Sequence, residues 1–272
     1  MEYEEITYDV GDRIATIKFN RPHAMNAGTG RTYWELEQAF RAAAVDDEVN
    51  VIVLTGVGRA FCAGDDVNQL FLSKPDNSDE ARSRRLLDQI RDLGSHRRHG
   101  LDTSIIDCPK PTIAAVNGAA VGYGCDIALM CDMRIGSDHA RMGEFFVRRG
   151  LIPSVGGLML LPRIIGLARA YELILSGRLV EAEELAAIGM VNRIVPHDDL
   201  EEETQKFASV LSAQAPIGQM LAKEGIRMGM NWDYDKLADY SITAIRLLMQ
   251  TADHHEGALS FAEKREAEFK GR

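Results

Sequence analysis

Apolar and polar positions alternate over short stretches at the start of the chain and then fall into helical spacing. "EEITYDV" and "RIATIKF" flank "GD", the pattern of two short strands around a turn. From Thr29, "TGRTYWELEQAFRAAAVDD" carries apolar residues at helical intervals, and "VIVLTG" (51–56) is a continuously apolar, β-branched run of the kind that forms a buried strand. A second such run, "PTIAAVNG" from Pro111, ends in Asn-Gly, and "CDMRIGS" from Cys131 reads as a third. The connection between the first two, from Ser73, is polar at its start and helical later, which predicts a surface segment leading into a helix. Strand, glycine-containing turn and helix recur, so the fold class is α/β. From about Asp198 every segment has helical periodicity and no strand intervenes. The organisation expected is an α/β core over 1–197 and a helical region over 198–272.

The 272 residues, 46% hydrophobic and 26% charged, suffice for one large domain or one domain with an appendage. A net charge of -10 argues against nucleic acid as a partner, because phosphate binding needs a basic face. Cys62, Cys108, Cys125 and Cys131 show neither CxxC nor Cys/His metal spacing, and the chain opens on charged "MEYEEITYDV". A reducing, cytoplasmic compartment and no metal are expected. No run approaches the roughly 20 apolar residues that cross a bilayer, so no membrane role is expected.

Two glycine-rich turns follow predicted buried strands, where open α/β folds place ligands. In "TGVGRAFCAGDDV" (55–67), Phe61 occupies the position of the third glycine of a dinucleotide fingerprint, and no Gly-Lys-Ser/Thr loop exists anywhere. The second turn is "VGYGCDIALMCD" (121–132), which puts a carboxylate at the start of an apolar helix. Unpaired N–H groups in such turns form donor sites for a negative oxygen, and two adjacent turns can aim one N–H each at a single carbonyl. Equally, both are plain strand-to-helix connections.

"FNRPHAMNA", "GRAFCAGDDV", "PKPTIAAVNGAAVGYGCDIALMCDMRI", "RRGLIPSVGG", "LSGRLVEAEELAAIGMVNRIVP" and "EGALSFAEKREAEF" together resemble, in order and spacing, the crotonase (enoyl-CoA hydratase/isomerase) superfamily over essentially the whole chain. The resemblance implies a crotonase-type spiral of ββα units with a helical C-terminal region, and a homotrimer or homohexamer. It further implies an acyl-CoA thioester as substrate, with no permanently bound cofactor, whose carbonyl oxygen is held by two backbone N–H groups. On this sequence the donors are Asp65, after "CAG", and Tyr123, between two glycines; Tyr123 departs from the glycine usual there.

Hydratases of the superfamily carry two glutamates. Asp126 matches the first position, one methylene shorter, and reads as a buried acid/base or as a cap of its own helix. Phe146 stands at the second position, with Glu144 two residues earlier, either reaching the site from a shifted position or solvated at the surface. A third acidic position of the superfamily, after "GLIP", holds Ser154, which together with Phe146 is expected to border the acyl pocket. Arg148 and Arg149 read as surface residues. Arg59, Ala63, Arg21, His23 and Lys264 fall where members of the superfamily contact CoA.

The implied function is stabilisation of a thioester enolate, with hydration of a 2-enoyl-CoA or migration of its double bond as the outcome. Hydrolysis or C–C cleavage of a cyclic or β-keto acyl-CoA is an alternative, as is an acyl-CoA-binding relative without catalysis, since Phe146 and Ser154 remove two of three usual acids.

Overall fold

A computed structural model describes residues 2–70, 72 and 100–272 of the chain. Strands β1 (Ile6–Gly11) and β2 (Ile14–Phe19) pair antiparallel with Gly11 opposite Ile14. The reversal falls on Asp12 and Arg13, with φ of +52° and +63°, shifted by one residue from the Gly11-Asp12 dipeptide. Two successive left-handed residues give the turn whose twist matches that of its strands. β3 (Val51–Gly56), β5 (Thr112–Val116), β7 (Met133–Ser137) and β10 (Arg193–Val195) extend the sheet in parallel, in the order β1-β2-β3-β5-β7-β10.

Both faces of this sheet are covered, which explains why β3 and β5 lack alternation. On one face, Ile17, Phe19, Ile52 and Leu54 pack with Leu36, Ala39, Phe40 and Ala43 of helix α1 (Gly30–Val45). Thr29 starts that helix: its Oγ1 accepts from the N–H of Arg31 and Thr32, and the Thr32 Oγ1 accepts from the Thr29 N–H. On the other face, Ile14, Val51, Val53, Ile113 and Ala115 pack with Leu200 and Ala208.

A second sheet of short strands, β4 (Ala60–Cys62), β6 (Ala119–Val121), β8 (Arg141–Gly143) and β9 (Val180–Glu181), runs in that order. Strands of two or three residues have no readable period, and sequence reading passed over them. β3 leads through β4 to α2 (Val67–Leu70), and β5 leads through β6 to α4 (Tyr123–Met130), with α3 (Gly100–Ile106) preceding β5. β7 and β8 lead likewise to a 3-10 turn over Phe145–Arg149. This is the spiral of ββα units expected. The polar part of the connection before α3 lies outside the described residues.

α5 (Leu161–Ile165), α6 (Leu167–Ser176) and α7 (Ala182–Ala187) precede β10. α8 (Leu200–Ser212), α9 (Pro216–Gly229), α10 (Tyr234–Leu248) and α11 (Ala252–Glu263) follow it. Among the described residues no helix is long and apolar enough to cross a membrane.

One buried cation fixes the helix that begins at the second glycine-rich turn. The Arg134 guanidinium, 6% exposed, donates to the carbonyls of Ala128 (3.2 Å), Leu129 (3.3 Å) and Cys131 (2.7 Å) at the end of α4, and to Met190 (2.9 Å). It satisfies carbonyls the helix leaves unpaired and meets the negative end of its dipole.

Candidate active site

The two glycine-rich turns meet. Gly64 (φ +90°) and Gly122 (φ +55°) take left-handed conformations, and a Cβ on Gly64 would stand 2.7 Å from the Val121 carbonyl oxygen and 3.7 Å from the Tyr123 nitrogen. The first turn is stitched to the segment before α1. The Gly28 N–H donates to the Gly64 carbonyl (2.8 Å), the Asp66 N–H to the Gly28 carbonyl (2.8 Å), and the Ala63 N–H to the Met25 carbonyl (3.1 Å). Those bonds engage the residues around Asp65. Among the described residues neither the Asp65 N–H nor the Tyr123 N–H donates to a protein acceptor.

A pocket of about 40 Å³ lies between the turns, lined by Ala63, Asp65, Tyr123, Phe146, Arg149 and Leu151 among others. That is room for a few water molecules. Phe146 thus borders the pocket, while Ser154 does not. Arg148 lies over the Phe145 ring, 4.6 Å from its centroid. Arg149 is exposed at the pocket rim, and its charge partly offsets the burial that raises the Asp65 carboxyl.

Asp126 sits in the first turn of α4, fully buried. It does not cap that turn; its oxygens reach another segment and accept from the N–H of Ser154 (2.8 Å) and of Gly157 (2.5 Å). Gly157 belongs to a π-helical turn over Gly156–Leu160. Burial pushes the Asp126 carboxyl up to about 6, against the opposing bonds from Ser154 and Gly157.

Glu144 is 1% exposed, which removes the surface alternative. Both of its carboxyl oxygens are buried without a hydrogen-bond partner among the described residues. Burial, and then the neighbouring Asp126 charge, hold its pKa well above the usual carboxylate range. The carboxyls meet around Gly157, where an added Cβ would stand 3.1 Å from the Glu144 Cδ and 3.2 Å from an Asp126 oxygen. Neither carboxyl lines the small pocket. Ser154, expected at the acyl pocket, is instead a backbone donor to Asp126, with its Oγ buried and without a hydrogen-bond partner among the described residues.

The five CoA candidates are not brought together into one patch. Arg21 is buried and spent on the framework: its guanidinium donates to the Ala27 carbonyl and pairs with Asp66 (3.1 Å) and Glu5 (3.4 Å). This corrects the reading of Arg21 as a phosphate contact, because its donors are already engaged by two carboxylates and a carbonyl. Arg59 is exposed with its Nε 2.8 Å from the Met25 Sδ, and His23 is exposed in the short turn Pro22–Ala24. Lys264, exposed, ends α11 in a left-handed conformation, and no contact among the described residues joins it to the pocket.

The enoyl-CoA hydratase/isomerase family model matches residues 9–272. The chain belongs to the enoyl-CoA hydratase/isomerase family. It is 33% identical over 274 residues to the short-chain-enoyl-CoA hydratase of Clostridium acetobutylicum, covering 100% of both chains. It is 34% identical over 270 residues to the crotonyl-CoA hydratase of Syntrophomonas wolfei, covering 99% of each. The crystal structure of an enoyl-CoA hydratase from Bacillus anthracis superposes with a TM-score of 0.86 at 32% identity, covering 99% of this chain and 100% of that one.

Sequence reading missed Gly157, Tyr33, Asp102 and Arg134 as members of this candidate site or its frame. Glycine repeated after "GLIP" was a signal for Gly157; the others sit in ordinary helical or strand patterns. Gly157→Ala is expected to destabilise the fold by about 1–3 kcal/mol, since its Cβ would also stand 2.6 Å from the Pro153 Cβ. Displacing the carboxyls should lower turnover by about 10²-fold. Urea unfolding and steady-state kinetics check the two parts.

Proposed function

We propose that the chain hydrates a 2-enoyl-CoA. The thioester oxygen is held by the Asp65 and Tyr123 N–H groups, Asp126 is the base, and Glu144 is the acid. The observation that carries this reading is the presence at one pocket of two backbone donors unspent among the described residues, with the two buried carboxyls on the helix that Tyr123 begins and on the residue before Phe145; Tyr123 and Phe145 both line that pocket. Relatives named as short-chain-enoyl-CoA and crotonyl-CoA hydratases over their full length support the substrate class.

In this scheme an ionised Asp126 takes a proton from water as its oxygen attacks the β-carbon. The electron pair of the double bond moves to the thioester oxygen, where two donors meet the developing charge. Glu144, kept protonated, gives its proton to the α-carbon, and the proton on Asp126 then passes to its neighbour to restore the starting state.

Isomerisation through a single base is the second reading. What favours it is the asymmetry of the pair: Asp126 has two backbone donors that keep it titratable near 6, whereas among the described residues Glu144 has no backbone donor and only the Cys125 thiol opposes its burial. Turnover of short, branched and cyclic enoyl-CoAs in heavy water, read by mass spectrometry, separates the two. Gain of one water means hydration; deuterium with a shifted double bond means isomerisation; no change in any thioester overturns both. Since Asp126 must be ionised, kcat/KM should fall tenfold per pH unit below about 6, the value to which Asp126 is raised.

Arg59 and His23 remain as CoA contacts in this proposal, with Lys264 brought to a neighbouring site by assembly as a homotrimer or homohexamer. Exposed apolar residues on the last helices, among them Ile226 (74%), Tyr234 (84%) and Phe261 (86%), support an assembly. A cytoplasmic location is supported by the four buried free thiols.

A further inference from the structure

The two donor residues carry side chains that are tied to each other through two residues outside the family motifs. The Tyr33 hydroxyl of α1 donates to the Asp65 carboxylate at 2.7 Å, and the Tyr123 hydroxyl donates to the Asp102 carboxylate of α3 at 2.6 Å. The rings of Tyr33 and Tyr123 meet edge to face, with centroids 4.9 Å apart and planes at 89°. The result is a continuous chain Asp65–Tyr33–Tyr123–Asp102 that links the two turns.

We propose that Tyr33 and Asp102 are positioning residues, which hold the two backbone donors in register through the side chains of Asp65 and Tyr123. This proposal rests on the enolate-stabilising reading of the site.

Three observations carry it. Each donor follows a glycine with positive φ, Gly64 and Gly122, and glycine leaves the orientation of the next peptide weakly determined. A tether on each following side chain restores the constraint. Room for the chain is made in the backbone: a Cβ on Gly28 would stand 2.5 Å from the Tyr33 hydroxyl oxygen, so the ring occupies space that only glycine leaves. Asp102 is 4% exposed and its second carboxyl oxygen has no partner among the described residues, where the bond it makes is to the Tyr123 hydroxyl. Burial also raises the pKa of both phenols, keeping them donors over the working pH range.

The same geometry accounts for tyrosine where the superfamily places glycine. A backbone donor survives the change, and here the added side chain is anchored away from the donor on its own N–H.

The test uses Tyr33→Phe, Tyr123→Phe, the double variant and Asp102→Asn, which preserves volume at the carboxylate. Three quantities are read: melting temperature, kcat and KM on an enoyl-CoA that the protein turns over, and the near-ultraviolet absorbance of bound acetoacetyl-CoA, a β-keto thioester whose enolate absorbs there. Each single variant should lower kcat by about tenfold, short of the roughly 10²–10³-fold that follows loss of a donor outright. KM should change much less, and the enolate band of acetoacetyl-CoA should weaken. The double variant should lower kcat further than either single one, because the two hydroxyls tether different donor residues. Variants with wild-type kcat and enolate band, whatever their melting temperatures, overturn the clamp while leaving the enolate site standing. A wild-type protein that neither turns over an enoyl-CoA nor perturbs acetoacetyl-CoA overturns the site and the clamp together.

Discussion

Asp126→Asn is expected to reduce kcat by about 10²–10⁴-fold, the range that general acid–base catalysis contributes, while CoA binding is preserved. The amide keeps the size of the side chain and one acceptor but cannot take a proton. Stability should respond with a recognisable pH signature. Asp126 rises from an ordinary 3.8 to about 6 in the folded chain, so it binds its proton more tightly folded than unfolded. Its stabilising contribution is fully present below pH 3.8 and is lost as pH rises through about 6. The difference amounts to roughly 3 kcal/mol. Wild-type protein should therefore lose about that much more stability than Asp126→Asn between pH 4 and pH 7, by urea unfolding at each pH. Equal pH dependence in the two proteins, or undiminished turnover in the variant, would overturn the role given to Asp126.

Arg134→Met is expected to cost about 3–5 kcal/mol, the range for removing one partner of a buried charged arrangement. Five carbonyls accept from this guanidinium, three of them at the end of the helix that starts at Tyr123 and bears Asp126. Methionine fills much of the volume, so the loss reads the hydrogen bonds and the charge at the helix terminus rather than a cavity. Arg148→Met is the contrast: its guanidinium lies exposed over the Phe145 ring, and surface changes of this kind stay within about 0.5 kcal/mol. Denaturant midpoints of the two variants, measured side by side, check both expectations.

The parts of the molecule legible in the chain are those where local pattern and burial agree. The buried runs at 51–56 and 112–116 are strands covered on both faces, and the helix capped by Thr29 begins where its capping residues stand. The short second sheet was not legible, since Ala60–Cys62 and Ala119–Val121 contain too few residues to show a period. Glu144 illustrates the same limit at the site. Nothing adjacent in "MGEFFVRRG" distinguishes a buried carboxyl from a solvated one, and its burial comes from α4 and the Gly156–Leu160 turn, which pack around it from other parts of the chain. Arg21 went the other way: a basic residue beside a conspicuous motif is consumed by Glu5 and Asp66, one upstream and one more than forty residues downstream.

The sequence by itself determined the α/β class, the family, the two glycine-rich turns and the presence of an acid at position 126, because these depend on residue order and on local backbone preferences. Only the tertiary structure decided that Asp126 and Glu144 meet around Gly157, that Ser154 serves Asp126 through its N–H, and that Tyr33 and Asp102 bind the side chains of Asp65 and Tyr123. Those facts depend on which segments are brought together across the fold. A carboxyl's charge state and a donor's orientation are set by neighbours distant in the chain, and burial and hydrogen bonding act through space.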